Sequence, residues 1–161
     1  MHRVGQFVAH VRARVDPAEE VLVRRVLPEG ALGLWGSMAV ADRRHGLDVA
    51  EKLLAAGHDD PDLLAAALLH DAAKGRHMRL WHRVGGVVLE AFAPALLRRL
   101  ADADVRSWRH GFHLYLHHER MSAELAVDAG CTPRMAGFIL GEGADADAPL
   151  RHALKAADDG S

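Results

Sequence analysis

The chain has 161 residues, half of them apolar and 26% charged, with a formal net charge of −2 and a single cysteine. This length and balance predict one domain of ordinary soluble composition that buries its own core. The small net charge gives no electrostatic basis for binding nucleic acid or a membrane surface. The single Cys131 excludes an intrachain disulfide or thiolate zinc site, and we expect it to be a small packing residue.

The sequence carries no signal for export or membrane insertion. Arginines and histidines at the N-terminus leave no apolar stretch of signal-peptide length. The longest apolar run, residues 63–69, is too short to span a bilayer. We therefore expect a cytoplasmic protein.

Helical periodicity extends along the chain, and no segment shows the alternating pattern of a strand. In the first half we predict helices over residues 6–15 and 17–26, followed by a connector rich in proline and glycine at residues 28–33. Ser37 is expected to cap the next helix, which ends before Gly57.

The pair Asp60-Pro61 is a start signal for the helix that carries His70 and Asp71. The next helix is predicted at residues 80–100, with interruptions near Gly85 and Gly86 and at Pro94. A histidine-rich stretch at 110–118 leads into a helix that ends at Gly130. Two more helices are predicted at 133–140 and, beyond a loop at 141–147, at 149–158. The predicted fold is a single all-α domain over residues 1–161. Its core would lie at about 37–158, with the helices of residues 6–26 packed on it.

Two histidines fall on the apolar faces of neighbouring predicted helices. His45 lies four residues before Val49, and His70 lies four residues after Ala66. Residues at this spacing share a helix face. Two consecutive antiparallel helices can therefore bring His45 and His70 together, and Asp158 on the amphipathic final helix is a candidate further ligand.

The doublet His70-Asp71 ends an otherwise apolar helix. Burying an ionised carboxylate costs several kcal/mol unless a cation or hydrogen bonds compensate it. A divalent metal ion is one such compensation, and imidazole with carboxylate is a suitable ligand set. The open alternative is that His45 is a hydrogen-bonded core histidine and that the doublet is only a polar helix end.

An ordered set of short motifs resembles the HD-domain metal-dependent phosphohydrolases. The signature of that family is a histidine, a later His-Asp doublet and a final aspartate on a bundle of helices. The matching segments are Asp42-Arg43-Arg44-His45, His70-Asp71-Ala72-Ala73-Lys74, Trp81-His82-Arg83, the region from His118, and Ala157-Asp158. Together they extend over most of the chain.

The resemblance implies that His45, His70, Asp71 and Asp158 bind one divalent metal ion, for which Mn, Fe, Co, Ni, Zn and Mg are all candidates. It also implies catalytic roles for two residues. Asp71 would bridge to a second metal or orient the attacking water, and Lys74 would contact a substrate phosphate. The alternative for Lys74 is a solvated position at a helix end.

A second metal site is the point at which this chain departs from the family pattern. Family members with two metals carry two further histidines. His118 stands at the first of those places, but Glu142 lies near the second, where an exposed loop carboxylate is the simpler interpretation. We therefore expect one metal rather than two. His118, Glu142 and Arg83 are kept as candidates for binding a second metal or a phosphate.

Two further groups of residues are interpreted from spacing and size. A histidine stripe with spacings of three and four consists of His110, His113 and His117. It is expected to be a polar surface or cleft rim, with a second metal site as the alternative. The tryptophans Trp35, Trp81 and Trp108 are expected to be core anchors.

The predicted function is metal-dependent hydrolysis of a phosphate ester, a small nucleotide or nucleotide-derived molecule, with no nucleic-acid or membrane partner. The apolar N-terminal helices would also allow a homodimer. The first alternative is a catalytically weak module that binds a metal or a nucleotide as a sensor or interaction domain. The second is a structural helical protein without a metal.

Overall fold

A computed structural model describes residues 17–75 and 78–160. Within these ranges the chain contains nine α-helices and no strand, so the all-α prediction is confirmed there. The helices are α1 (Pro17–Val26), α2 (Glu29–Ser37), α3 (Val40–Ala55), α4 (Pro61–Leu69), α5 (Leu80–Phe92), α6 (Pro94–Leu100), α7 (His110–Asp128), α8 (Pro133–Leu140) and α9 (Ala148–Asp159). Two short 3₁₀ turns lie at Ala72–Lys74 and Asp145–Asp147. The helix predicted at residues 6–15 lies outside the described residues.

The connector predicted at residues 28–33 is wrong beyond Pro28, because Pro28 is the N-cap of α2 and residues 29–33 belong to that helix. Ala31 and Trp35 lie four residues apart and are both buried, so α2 packs one face on the core despite its glycines. Tertiary packing outweighs the weak helix propensity of glycine here. Ser37 is the last residue of α2 rather than a cap for α3, and its hydroxyl donates to the carbonyl of Leu34 at 2.7 Å.

The interruption predicted near Gly85 and Gly86 is wrong, because α5 continues through both glycines. The interruption predicted at Pro94 is confirmed, since it separates α5 from α6. A Cβ atom on Gly86 would lie 2.5 Å from the ring of Tyr115, and one on Gly85 would lie 3.3 Å from the ring of Phe112. The two glycines therefore allow the aromatic side chains of α7 to approach the α5 backbone.

The core is centred on α4, in which all of the residues from Leu63 to Leu69 are buried. Helices α3, α8, α9 and α1 pack around it, and α7 packs against α8 and the first 3₁₀ turn. A helix that is apolar on every side needs such a central position. Cys131 is buried against this core, as expected for a packing residue. No helix among the described residues has both the length and the apolar character required to cross a membrane.

The prediction that all three tryptophans anchor the core is correct only for Trp35. Trp81 is 45% exposed and Trp108 is 63% exposed, and their rings lie 5.9 Å apart on the outer side of α5 and α7. Residue size favours burial, but the hydrophobic pattern of a single helix does not specify which face is covered.

Candidate metal centre

A close helix contact brings the two predicted histidines together. Gly46, next to His45 on α3, faces the backbone of α4, and a Cβ there would lie 2.9 Å from the carbonyl oxygen of Leu68. Because the two backbones can approach this closely, the rings of His45 and His70 lie 5.2 Å apart, edge to face. His70 stands at the C-terminal cap of α4, where its side chain leaves the apolar core.

Asp158 reaches the two histidines from α9. The Nε2 atom of His45 lies 2.8 Å from Oδ1 of Asp158, and Nε2 of His70 lies 3.5 Å from the same oxygen. A carboxylate only accepts, so His45 is the donor in this arrangement. This hydrogen bond lowers the pKa of Asp158 despite the opposing effect of burial. The three residues form a group that could hold a metal ion, since their ligand atoms all lie within 4.8 Å of one another.

The orientation of His70 is set by the helix backbone. Its Nδ1 lies 2.9 Å from the carbonyl oxygen of Ala67 and donates to it. The other nitrogen, Nε2, then faces the cluster, which is the usual arrangement of a metal-binding imidazole. His118 has the same arrangement, because its Nδ1 contacts the carbonyl of Tyr115 at 3.1 Å.

Two buried atoms at this site have no hydrogen-bond partner among the residues that the structure describes. They are Nε2 of His70 and Oδ1 of Asp71, which lie 3.5 Å apart. Buried polar atoms are rarely left without a partner. Two atoms that each bind one ion at about 2.0–2.2 Å lie roughly 3–3.5 Å apart at ordinary coordination angles. The separation of these two atoms is therefore compatible with ligands of one ion, although the group of residues whose ligand atoms all lie within 4.8 Å of one another does not include Asp71.

Asp71 is the most deeply buried charged group of the site, at 2% exposure. Its Oδ2 accepts a hydrogen bond from Nζ of Lys74 at 2.5 Å. Burial alone would raise the pKa of Asp71, but electrostatic interaction with His70 and Lys74 and the hydrogen bond from Lys74 outweigh it and hold the pKa well below the ordinary value. Asp71 is thus ionised near neutral pH, with Lys74 on one side and the histidines on the other.

The residues proposed for a second metal or a phosphate are not brought together. His118 approaches Asp71, with 3.8 Å between its Nε2 and Oδ1, and burial lowers its pKa. Glu142 is exposed just beyond α8. Among the described residues, the group able to hold a metal contains neither of them.

Arg83 is paired with a buried carboxylate rather than left free for a phosphate. Its Nη2 donates to Oδ1 of the buried Asp42 at 2.6 Å, which joins α5 to α3. Spacing along the sequence placed Arg83 near the site but could not indicate that Asp42, three residues before His45, would take up its charge.

The histidine stripe forms a row of rings on α7. The rings of His113 and His117 lie 4.6 Å apart, and those of His110 and His113 lie 5.7 Å apart. Burial and the neighbouring histidines lower the pKa of His113. Within the described ranges, no group of three ligands that could share an ion includes any of the three.

A cavity of about 410 Å³ adjoins the cluster, and no sequence pattern indicates it. His70 and Asp158 both line it, together with apolar and charged side chains. The apolar wall comes from α8 and α9, basic side chains come from α9, and α7 contributes the carboxylate of Glu119. The apolar residues are Phe138, Ile139, Leu140 and Leu154, and the basic ones are Arg151, His152 and Lys155. Such a mixture of apolar walls and a few charged groups is typical of small-molecule sites.

Comparisons with models of protein families, with curated proteins and with solved structures find no match to this chain. The class of protein therefore follows from the fold and the site of this chain. In its described residues it is an all-α protein with a cluster of two histidines and one aspartate that could hold a metal ion.

Proposed function

We propose that this chain is an HD-type, metal-dependent phosphohydrolase with one divalent metal, acting on a small phosphate ester such as a nucleotide. The observation that carries the proposal is the pair of buried, unpartnered atoms, His70 Nε2 and Asp71 Oδ1, which face the cluster of His45 and Asp158. A buried polar atom left without a partner costs about 1–3 kcal/mol, and a bound ion would satisfy both atoms at once.

His45, His70 and Asp158 would hold the ion, with Asp71 as the fourth ligand or as the group that orients water. An ion in this position lowers the pKa of a coordinated water and draws charge from a phosphoryl oxygen. The ligand set suits Mn, Fe, Co, Ni, Zn or Mg and does not choose among them. Ion binding would displace the proton that His45 shares with Asp158, so affinity should fall as the pH falls.

Lys74 and the cavity would position the substrate. Nζ of Lys74 has three donors, and Asp71 uses one of them. The remaining donors can contact a phosphate as a point charge. In the cavity, Arg151 and Lys155 supply further positive charge, and the apolar wall of α8 offers contact area for a base or another non-polar group.

Metal content and hydrolysis of the purified protein test the proposal together. We expect one equivalent of a divalent metal, lost in His45→Ala, His70→Ala and Asp158→Asn but kept in the control His113→Ala. Lys74→Met should keep the metal and lose at least tenfold in kcat/KM, since a hydrogen bond to a charged group is worth about 1.5–3 kcal/mol. The substrates would be nucleoside monophosphates, cyclic nucleotides and a simple aryl phosphate.

Two results would separate the alternatives. Stoichiometric metal without turnover of any phosphate ester would support a sensor or interaction module instead of an enzyme. Absence of bound metal from the wild-type protein after loading with each candidate ion would reject both and leave a structural role for the histidines.

A further inference from the structure

Helix α5 carries its apolar residues on the outside of the protein. Seven of its residues are exposed in the described structure, and six of these are apolar: Trp81, Val84, Val87, Val88, Ala91 and Phe92. Phe92 is 86% exposed. Trp81, Val84, Val88 and Phe92 follow helical spacing and form one stripe. Trp108, in the turn just before α7, extends this surface beside Trp81. We call the six exposed apolar residues of α5 together with Trp108 the α5 face.

The charged residues of α5 are directed away from this face. Arg83 is bound to Asp42 of α3, and Glu90 accepts a hydrogen bond from the hydroxyl of Tyr115 at 2.7 Å. The side of α5 that contacts α7 carries the two glycines and the buried His82, whose ring contacts Phe112. The outer side is thus the more apolar of the two, the reverse of an ordinary surface helix.

We propose that the α5 face is the interface of a homodimer, in which α5 of one copy packs antiparallel on α5 of a second copy. A two-fold axis near Val84 and Val88 pairs the face with itself, as symmetric dimers require. It also places the bulky Trp81 of each copy near the Ala91 and Phe92 end of the other. The small valines at the centre allow close approach of the two helices.

The available area supports a second copy as the occupant. A stable interface covers roughly 800 Å² on each partner, and one phenylalanine or tryptophan can bury roughly 150–250 Å². Two tryptophans, one phenylalanine and three valines, all about half exposed or more, offer a surface of that order. An isolated patch of this size is unusual on a monomer.

The charges of α5 also favour protein over an anionic membrane. Helices that lie on such membranes carry lysine or arginine beside the apolar face. The only Lys or Arg side chain within α5 is Arg83, and it is committed to Asp42. The dimer proposal does not depend on the metal site, so the two can fail separately.

Sedimentation velocity of the full chain over a range of concentrations tests the proposal. We expect a dimer at micromolar concentration, and a blue shift of tryptophan emission on association because Trp81 and Trp108 become buried. Val84→Asp and Val88→Asp should each weaken dimerisation at least a hundredfold, since each places a charge in the apolar centre. The matched control is Val21→Asp on α1, where the wild-type valine is 67% exposed; it should remain dimeric.

Circular dichroism of each variant monomer, with an unchanged helical signal, would show that the loss is one of association and not of folding. A wild-type chain that stays monomeric at 100-fold higher concentration overturns the proposal. So does a dimer that survives both aspartate variants. A monomer that co-sediments with phosphatidylglycerol vesicles by means of a contact from Trp81 would assign the α5 face to a membrane instead.

Discussion

Asp71 presents its two carboxylate oxygens to different neighbours. Oδ2 is bound by Lys74, while Oδ1 faces His70 without a hydrogen bond. Removal of one partner from a buried ion pair usually costs about 3–5 kcal/mol. The cost should be smaller here because Lys74 keeps some access to solvent.

We expect Asp71→Asn to lower the free energy of unfolding of the metal-free protein by about 1–2 kcal/mol near neutral pH. The folded state lowers the pKa of Asp71, so its contribution is complete above the ordinary value of 3.8 and is lost as the pH falls further. The difference between wild type and Asp71→Asn should therefore shrink below about pH 4. Urea titrations with a chelator at several pH values measure it.

The control for this comparison is Asp59→Asn, an exposed carboxylate in the loop before α4. It should change the stability little at any pH. A gap between wild type and Asp71→Asn that stays constant down to pH 3 would contradict the assigned role of Asp71.

Residue types and spacing were enough to identify the histidines of the site. The i to i+4 rule put His45 and His70 on inward faces, and the amphipathic last helix gave Asp158. Side-chain partners were not predictable in this way. Nothing in the local sequence indicates that Asp42 binds Arg83, because the two residues lie 41 positions apart on different helices.

At the scale of elements, the crossing of α3 and α4 controls the geometry of the site. The two helices are in close contact at Gly46, where a Cβ would lie about 3 Å from the carbonyl oxygens of both Ala67 and Leu68. Those carbonyls belong to the last turn of α4, immediately before His70. Separation of the helices would therefore separate the histidines.

We expect Gly46→Ala to lower the free energy of unfolding by about 1–3 kcal/mol, as overpacked core positions do. It should also weaken metal binding at least tenfold, because His45 moves away from His70. Urea unfolding and calorimetric metal titration measure the two effects. Gly36→Ala in α2 is the matched control, since a Cβ there meets nothing within 4 Å; it should be neutral or slightly stabilising. Equal effects of the two substitutions would contradict this account.

Element boundaries were predicted well where a cap and a proline coincide. The start signal Asp60-Pro61 gave α4, and the helix predicted from residue 133 is α8, which begins with Pro133 after Thr132. The side chains of Asp60 and Thr132 each accept a hydrogen bond from the third helical residue. Propensity misplaced α2, where buried Ala31 and Trp35 outweigh three glycines. The outward apolar side of α5 could not be predicted, because periodicity identifies a face without stating what covers it.

For the molecule as a whole, a bound ion would tie α9 to α3 and α4. Metal at 100 times its Kd should raise the free energy of unfolding by about 2.7 kcal/mol if the unfolded chain does not bind it. Amide exchange in α9 should slow in parallel. Asp158→Asn should abolish both effects, whereas the neighbouring Asp159→Asn should keep them. Equal metal-dependent stabilisation of the two variants would place the ion elsewhere.

The contact between His45 and Asp158 also carries a consequence for the order of folding. The two residues are 113 positions apart, whereas His45 and His70 belong to consecutive helices. Contacts of such long range form late, since the intervening chain must first be ordered. During synthesis, α9 also leaves the ribosome after the core helices. The ligand set is therefore completed only at the end of folding, and capture of an ion would report that the whole bundle has closed.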